Sequence, residues 1–108
     1  MVNARNIPES VFGLRLREAR LAAGLPQDKL GVLAGLDEAT ASARISRYES
    51  GVHEPPHSFA EQLAKVLHVP SAYFYTNDDA LAKLILGFAN LNKSNKQKLL
   101  AYMADLSA

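Results

Sequence analysis

The sequence predicts an all-α fold, and three observations carry that prediction. Apolar residues recur at spacings of three and four along most of the chain, as they do on the inward faces of helices. Glycine or proline separates these segments, which is typical of helix ends and helix starts. No segment alternates apolar and polar residues with the period of two that half-buried strands show. We therefore expect about five helices, followed by two C-terminal amphipathic helices.

The first helix should begin near Pro8, which suits a first helical turn, and stop at Gly24. Its inward stripe is expected to hold Phe12, Leu16, Ala19 and Ala23, with Arg15 and Arg17 pointing away. A second, short helix is expected over residues 27–34, between Pro26 and Gly35. Its buried face should consist of Leu30, Leu33 and Ala34.

The third helix carries ASARISRYES and should end at Gly51, with inward residues Ala41, Ile45 and Tyr48 or Glu49. The two prolines of VHEPPH then predict an extended loop. A fourth helix is expected over residues 58–67, followed by a short turn, SAYFY, that carries three aromatic rings into the core. The two last helices should span residues 79–91 and 94–106, with Ser94 as an N-cap.

Composition bounds the function. Twelve Lys and Arg against eleven Asp and Glu give a net charge of +1, far below that of a nonspecific nucleic-acid coat. The absence of cysteine excludes disulfides and cysteine catalysis. No apolar run has the length of a membrane span, and no secretory leader opens the chain, so we expect a cytoplasmic protein. No catalytic constellation and no glycine-rich phosphate loop occur, so we expect neither an enzyme nor a cofactor.

Two short helices separated by a turn that contains glycine match the description of a helix-turn-helix, whose second helix enters the DNA major groove. The outward face of the third helix carries short side chains and one arginine: Ser42, Ala43, Ser46 and Arg47. Short residues let a helix approach base edges, and arginine can bond guanine with two donors. From composition alone, a solvated helix face is an equally good interpretation.

Residues 12–75 resemble the lambda-repressor-like (Cro/repressor type) helix-turn-helix family. The matching pieces are FGLRLREAR, GLPQDKLGVLAG, RISRYESG, a proline after a short loop, and LAKVLHV. The positions that carry the resemblance are Arg20, Gln27, Leu30, Gly35, Ile45, Ser46, Tyr48, Glu49, Gly51, Pro55 and Ala64. The resemblance implies a lambda-repressor-like helical bundle that binds double-stranded DNA.

The resemblance also implies roles for individual residues. The expected base contacts are Ser42, Ala43 and Arg47, and the expected phosphate contacts are Gln27, Arg44 and Ser46. Gln27 would act together with the N-terminus of its helix. Arg20 and Glu49 match a pair that forms an internal salt bridge between the first helix and the end of the third.

One departure from the family concerns the turn. Ile45 follows Gly35 by ten positions here, whereas in the family the interval is about six, so about four residues are extra. They could lengthen the turn, or they could add a turn to the front of the third helix with Asp37 as its N-cap. In the second case Thr40 and Ala41 would also approach DNA. Gly31 stands where the family usually has alanine, which should slightly weaken the second helix.

His53 and His57 are four residues apart, a spacing that can bind a metal on one helix face. The intervening Pro55 and Pro56 remove that helix, so we expect no metal site and instead a phosphate contact from His53.

The last two helices carry nearly continuous apolar stripes. These helices could simply extend the core of the DNA-binding module. Alternatively they could form a homodimer interface, for which the expected residues are Leu81, Leu84, Ile85, Phe88, Leu99 and Met103. A dimer would also explain how two recognition helices read half-sites about one DNA turn apart.

These observations predict three segments: a flexible lead-in (1–8), a helix-turn-helix DNA-binding domain (9–76) and a C-terminal extension for dimerisation (77–108). The expected function is that of a sequence-specific transcriptional regulator, a repressor, acting as a homodimer on a pseudo-palindromic operator. The alternative is an antitoxin-like DNA-binding module whose C-terminal helices bind a partner protein.

Overall fold

The computed structural model describes residues 10–108, and this part of the chain is entirely helical, as predicted. It contains α1 (Val11–Ala22), α2 (Gln27–Leu33), α3 (Glu38–Ser50), α4 (His57–Leu67), a 3₁₀ turn (Ser71–Tyr75), α5 (Asp79–Ala89) and α6 (Lys93–Ser107). The expected lead-in, residues 1–8, lies outside the described residues. None of the helices found in residues 10–108 is long and apolar enough to cross a membrane.

The start of α1 is set by Ser10, whose hydroxyl accepts a hydrogen bond from the backbone N–H of Gly13 at 2.9 Å. This side-chain cap satisfies one of the donors that a helix start leaves without a partner. The helix therefore begins at Val11, later than the start expected near Pro8. Ala23 lies just beyond its other end and is exposed, so the expectation that it faces inward was wrong.

The packing of α2 against α3 depends on Gly31. A β-carbon at this position would lie 2.7 Å from the β-carbon of Ala41 on α3, which is far closer than two carbon atoms can approach. Glycine here lets the two helices come together, so its effect is not simply to weaken α2. Gly31 faces α3, so Leu33, two residues further along, lies on the opposite side of α2 and is 53% exposed, whereas we expected it to be buried.

The core lies among α1, α2, α3, α4 and the 3₁₀ turn. Its largest fully buried side chains are Leu16, Leu30, Ile45, Leu63 and Phe74. Tyr73 is buried as well, but Tyr75 remains 46% exposed, with its ring 5.5 Å from that of Phe12. Two of the three aromatic residues of the turn are therefore buried, not all three.

The two C-terminal helices add little to this core. Ala82 is the only buried residue of α5, and α6 has none. The start of α6 is capped by Asn92, whose side-chain oxygen accepts from the backbone N–H of Asn95 at 2.8 Å. The cap expected at Ser94 was therefore wrong. Ser94 is the second residue of α6.

Candidate nucleic-acid interface

Helix α3 is longer at its front than the resemblance alone implies. It begins at Glu38, and Asp37 precedes it in an extended conformation without a side-chain cap hydrogen bond. Of the two possibilities for the extra residues, the structure therefore has the additional helical turn. Thr40 is exposed on this turn, but Ala41 is fully buried against α2 and cannot approach a duplex.

The two sides of α3 differ in chemistry. The packed side consists of Ala41, Ile45, Tyr48 and Glu49, all buried. The outward face of α3 carries exposed short side chains and one arginine: Ala39, Ser42, Ala43, Ser46 and Arg47. Ala39, Ala43 and Arg47 follow one another at a spacing of four, so they share one line along the helix. Ser42 is also exposed, but it lies closer to the packed side.

Ala39 is the residue of this face that the sequence analysis missed. Its position four residues before Ala43 is the signal that could have found it, once the extra residues are known to be helical. The same turn carries the exposed acidic residues Asp37 and Glu38. Negative charge at the front of α3 makes this end of the helix unfavourable for contact with phosphate groups.

Arg44 lies beside the outward face and is directed along the helix. It donates a hydrogen bond from Nη2 to the hydroxyl of Tyr48 at 2.9 Å, and its guanidinium carbon lies 6.0 Å from the centre of the Tyr48 ring. Tyr48 in turn packs against Phe59 of α4. Arg44 is therefore held at the edge of the surface, whereas Arg47 lies on its exposed centre line.

A buried ion pair fixes α3 to α1. The guanidinium of Arg20 donates two hydrogen bonds to the carboxylate of Glu49, from Nε and, at 3.1 Å, from Nη2. Its remaining side-chain nitrogen, Nη1, donates to the carbonyl oxygen of Leu25 at 2.9 Å. This is the pair that the resemblance implies. Both partners are buried, so the geometry must satisfy both charges internally.

Gln27 also contacts the buried pair of Arg20 and Glu49, which the sequence did not lead us to expect. Its side-chain nitrogen donates to Glu49 at 3.1 Å, so one carboxylate holds α1, α2 and α3 together. Gln27 is half-buried at the first position of α2. An amide nitrogen carries two N–H groups, so the contact with Glu49 orients the side chain and leaves the second N–H to another acceptor.

The loop after α3 returns across the end of the helix. Gly51 adopts a left-handed conformation (φ 81°) that ends α3, and the backbone N–H of His53 donates to the carbonyl oxygen of Arg47. The side chain of His53 is exposed next to the outward face. His57 lies at the start of α4, 3.7 Å from Glu61. Within residues 10–108, no three His, Asp or Glu side chains gather as metal ligands.

Arg15 was expected to point into solvent, and this expectation was wrong. The side chain is 3% exposed and makes four hydrogen bonds. It donates to the carbonyl oxygens of Thr76 (2.8 Å) and Asn77 (3.1 Å) and to the carboxylates of Glu18 (2.9 Å) and Asp79 (2.8 Å). We call these residues, together with Tyr73, the Arg15 cluster. Three of its members lie more than sixty positions from Arg15 in the sequence, so no local pattern could have revealed it.

In the Arg15 cluster, burial and the neighbouring carboxylates have opposite effects on the pKa of Arg15. Burial by itself lowers the pKa of Arg15, but hydrogen bonds and charge interactions with Glu18 and Asp79 outweigh it and raise the pKa. Tyr73 donates from its hydroxyl to Glu18 at 3.1 Å. Burial, followed by the negative charge of Glu18, raises the pKa of Tyr73 above its ordinary value. The guanidinium therefore stays charged, and each of its three nitrogens donates at least one hydrogen bond.

A second surface lies between α5 and α6. An open apolar groove of ≈ 530 Å³ is lined mainly by hydrophobic residues of both helices, among them Leu84, Ile85, Phe88, Leu99 and Met103. Leu81 is exposed on α5 just before the groove. The structure thus brings together five of the six residues expected at a subunit interface and leaves their apolar surface open, whereas Leu81 lies outside the groove lining.

The comparisons with known proteins agree with this architecture. A family model described as a helix-turn-helix domain matches residues 11–72, more than half of the chain. A crystal structure of the transcriptional regulator BswR is similar over 86% of this chain and 92% of its own, with a TM-score of 0.83 and 45% sequence identity. No curated protein matches the chain.

Proposed function

Because the chain belongs to the helix-turn-helix domain family, we propose that it is a sequence-specific DNA-binding transcriptional regulator that acts as a homodimer. The observation that carries the proposal is the outward face of α3, which is exposed and built from short side chains around one arginine. The similarity to a transcriptional regulator at 45% identity supports the regulatory role. As a repressor, the dimer would act by occupying a pseudo-palindromic operator.

In this proposal the outward face of α3 lies in the major groove, which is wide enough to admit a helix. Arg47 reads guanine through O6 and N7, Ala43 contacts a thymine methyl group, and Ser42 contacts a base edge at the side of the helix. The exposed alanines keep the backbone close to the bases. Arg47 is the longest side chain on this face, so it should dominate sequence preference.

Residues around the face are proposed to hold the phosphate backbone. Gln27 stands at the N-terminus of α2, where its amide is oriented by Glu49. Arg44, Ser46 and His53 are exposed on either side of the centre line of α3. Such contacts fix the position of the protein on the duplex but carry little sequence information. With a net charge of +1, the chain depends on these few placed donors for its affinity.

The homodimer is proposed to form through the groove between α5 and α6. An isolated helix of the length of α6 is marginal in water, and none of its 15 residues is buried within the chain. A second copy would cover the same apolar residues on both subunits, as two-fold symmetry requires. It would also supply the second recognition helix that two half-sites need.

The same groove gives a second candidate function. A regulator with an antitoxin-like role would use α5 and α6 to hold a different protein chain, and the open apolar lining suits such a partner too. The mass of the purified protein and its denaturing gel separate the two candidates. A homodimer has twice the mass of the chain and gives one band on the gel, whereas a complex with a different protein gives a second band.

Selection of bound duplexes from a random pool tests the function directly. We expect enrichment of two inverted half-sites whose centres lie about one helical turn apart, roughly 10–11 base pairs. The same selection with Arg47→Ala should return the same spacing but a relaxed preference at one position in each half-site. A pool that shows no enriched motif with the native chain would contradict sequence-specific binding.

A further inference from the structure

Arg15 ties the segment between the 3₁₀ turn and α5 to α1. The side chains of the segment make local contacts, since the Thr76 hydroxyl donates to the carbonyl oxygen of Ala72 and Asp78 caps the start of α5. Residues 76–78 are not helical, and they are the link between the DNA-binding module and the C-terminal helices. Arg15 bonds two consecutive backbone carbonyls of this link, those of Thr76 and Asn77, and then the first residue of α5, Asp79. The guanidinium thus contacts the link at Thr76 and Asn77 and the first residue of α5 at Asp79.

Few other contacts hold α5 in place. Ala82 is its one buried residue, and Ile85 and Leu86 are partly buried against the core. These apolar contacts attach the helix, but contacts of this kind are not directional. Hydrogen bonds from a planar guanidinium with a fixed fork are directional, because each donor requires its acceptor at one angle. The Arg15 cluster therefore supplies directional contacts between α1 and the start of α5.

Helix α1 connects this cluster to the packed side of α3. Gly13, two residues before Arg15, packs so closely on the backbone of Tyr48 and Glu49 that a β-carbon would collide with it. Arg20, one turn further along α1, forms the buried ion pair with Glu49. One rigid helix thus holds α3 on one side and the start of α5 on the other.

We propose that Arg15 is a positioning residue that sets the direction of the C-terminal helices relative to α3, and thereby the spacing of DNA half-sites that a dimer accepts. This inference rests on the proposed homodimer. If α5 and α6 join two subunits, the angle at which α5 leaves each module decides where the two recognition helices stand. A two-module binder keeps a sharp preference for distance only while its connection is stiff.

The test compares the native chain with Arg15→Met, which keeps the apolar stem and removes every donor. Both proteins are titrated by fluorescence anisotropy against duplexes that carry the selected half-sites at spacings from three base pairs shorter to three longer than the optimum. For the native chain we expect affinity to fall about tenfold for a change of one or two base pairs, and about twofold or less for Arg15→Met. Binding to a single half-site and the mass of the dimer should not change.

Two further variants guard the interpretation. Asn77→Ala is the matched control, because the cluster uses only the backbone carbonyl of Asn77 and should leave the native spacing profile intact. Asp79→Ala removes one acceptor and keeps both carbonyl contacts, so it should give an intermediate profile. It also provides the test if Arg15→Met fails to fold, as judged by circular dichroism.

The outcomes separate the inference from the proposed function. A native chain that is monomeric, or that shows no preference for spacing, would overturn the dimeric operator and this inference with it. A native chain with a sharp preference that both variants of the cluster retain would overturn the role of Arg15 alone. A flattened profile with unchanged half-site binding supports it, because a purely structural defect would weaken binding to the single half-site as well.

Discussion

Residues 10–76 and residues 77–108 carry apolar stripes of the same helical spacing, yet they bury them to very different degrees. In the first region, Leu16, Leu30 and Leu63 are fully buried among four helices and the 3₁₀ turn. In the second region, Leu84 and Met103 are each 42% exposed, on helices that the other described residues leave largely uncovered. An apolar stripe indicates which side of a helix will be buried, but it does not indicate which other part of the chain, or which other chain, will bury it.

The difference assigns separate tasks to the two regions. The first region is stabilised within the chain and presents α3 on a fixed support. The second region leaves apolar surface uncovered by the other residues that the structure describes, and we propose that a second copy of the chain covers it. Equivalent substitutions should therefore act on folding in the first region and on assembly in the second.

The largest effect is expected from Glu49→Ala in the first region. Arg20 would keep its buried charge and lose its carboxylate, so the free energy of unfolding should fall by about 3–5 kcal/mol. Urea denaturation at one fixed protein concentration measures this change. The double variant Arg20→Met, Glu49→Met is the matched control, because it leaves no unpaired charge and should lose much less. A loss in the single variant no greater than in the double variant would contradict the role of the pair.

Leu84→Asp and Phe88→Asp should disrupt assembly and leave the module folded. Each apolar side chain that a second copy covers contributes about 1.5–3 kcal/mol, and a buried carboxylate adds a penalty of its own. Light scattering should report a monomer for both variants. Gln97→Asp, on the exposed side of α6 away from the groove, should remain a dimer.

The same change in the first region gives the contrast. Leu63→Asp places a charge among core residues of the module, so it should unfold the chain instead of producing a folded monomer. If Leu84→Asp and Phe88→Asp leave the mass unchanged, the groove is not the subunit interface.

Arg47→Ala should weaken operator binding by about 1–3 kcal/mol and relax the preference at one base pair of each half-site. Competition between duplexes that differ at single positions measures both quantities. Thermal melting should be unchanged, because the side chain is exposed. An equal loss on every duplex would show that Arg47 contacts only phosphate.

The smallest effect is expected from Gln27→Ala. Loss of one neutral hydrogen bond to phosphate should reduce affinity by about 0.5–1.5 kcal/mol, evenly across sequences. Since Gln27 also donates to Glu49, thermal melting of the variant is measured as well, to separate an effect on binding from an effect on stability. A change in base preference would count against the phosphate role.

Much of the helical architecture could be predicted because its causes are local. Periodicity located every helix between α2 and α6 to within a few residues, and Gly51 marked the end of α3. Errors occurred where a near neighbour competed, as with Asn92, which caps α6 in place of Ser94. Leu33 was misplaced for a different reason, since Gly31 is the residue that faces α3 and Leu33 lies on the opposite side of α2.

The sequence predicted which kinds of residue form the outward face of α3, but not where along the helix this face begins. The sequence contains the short residues and Arg47, and the resemblance supplies their roles. Whether the extra residues before Ser42 are helical depends on how α3 packs against α2, so Ala39 could not be placed beforehand.

The sequence by itself determined that the chain is helical, approximately where most helices lie and which residues form most of their apolar faces, because these depend on backbone preferences and spacing over a few residues. Only the tertiary structure decided that Arg15 is buried, that Gln27 shares Glu49 with Arg20, and that the stripes of α5 and α6 remain open. Each of these depends on groups brought together from distant parts of the chain. A side chain's charge and its position on a helix do not reveal which distant acceptors will surround it.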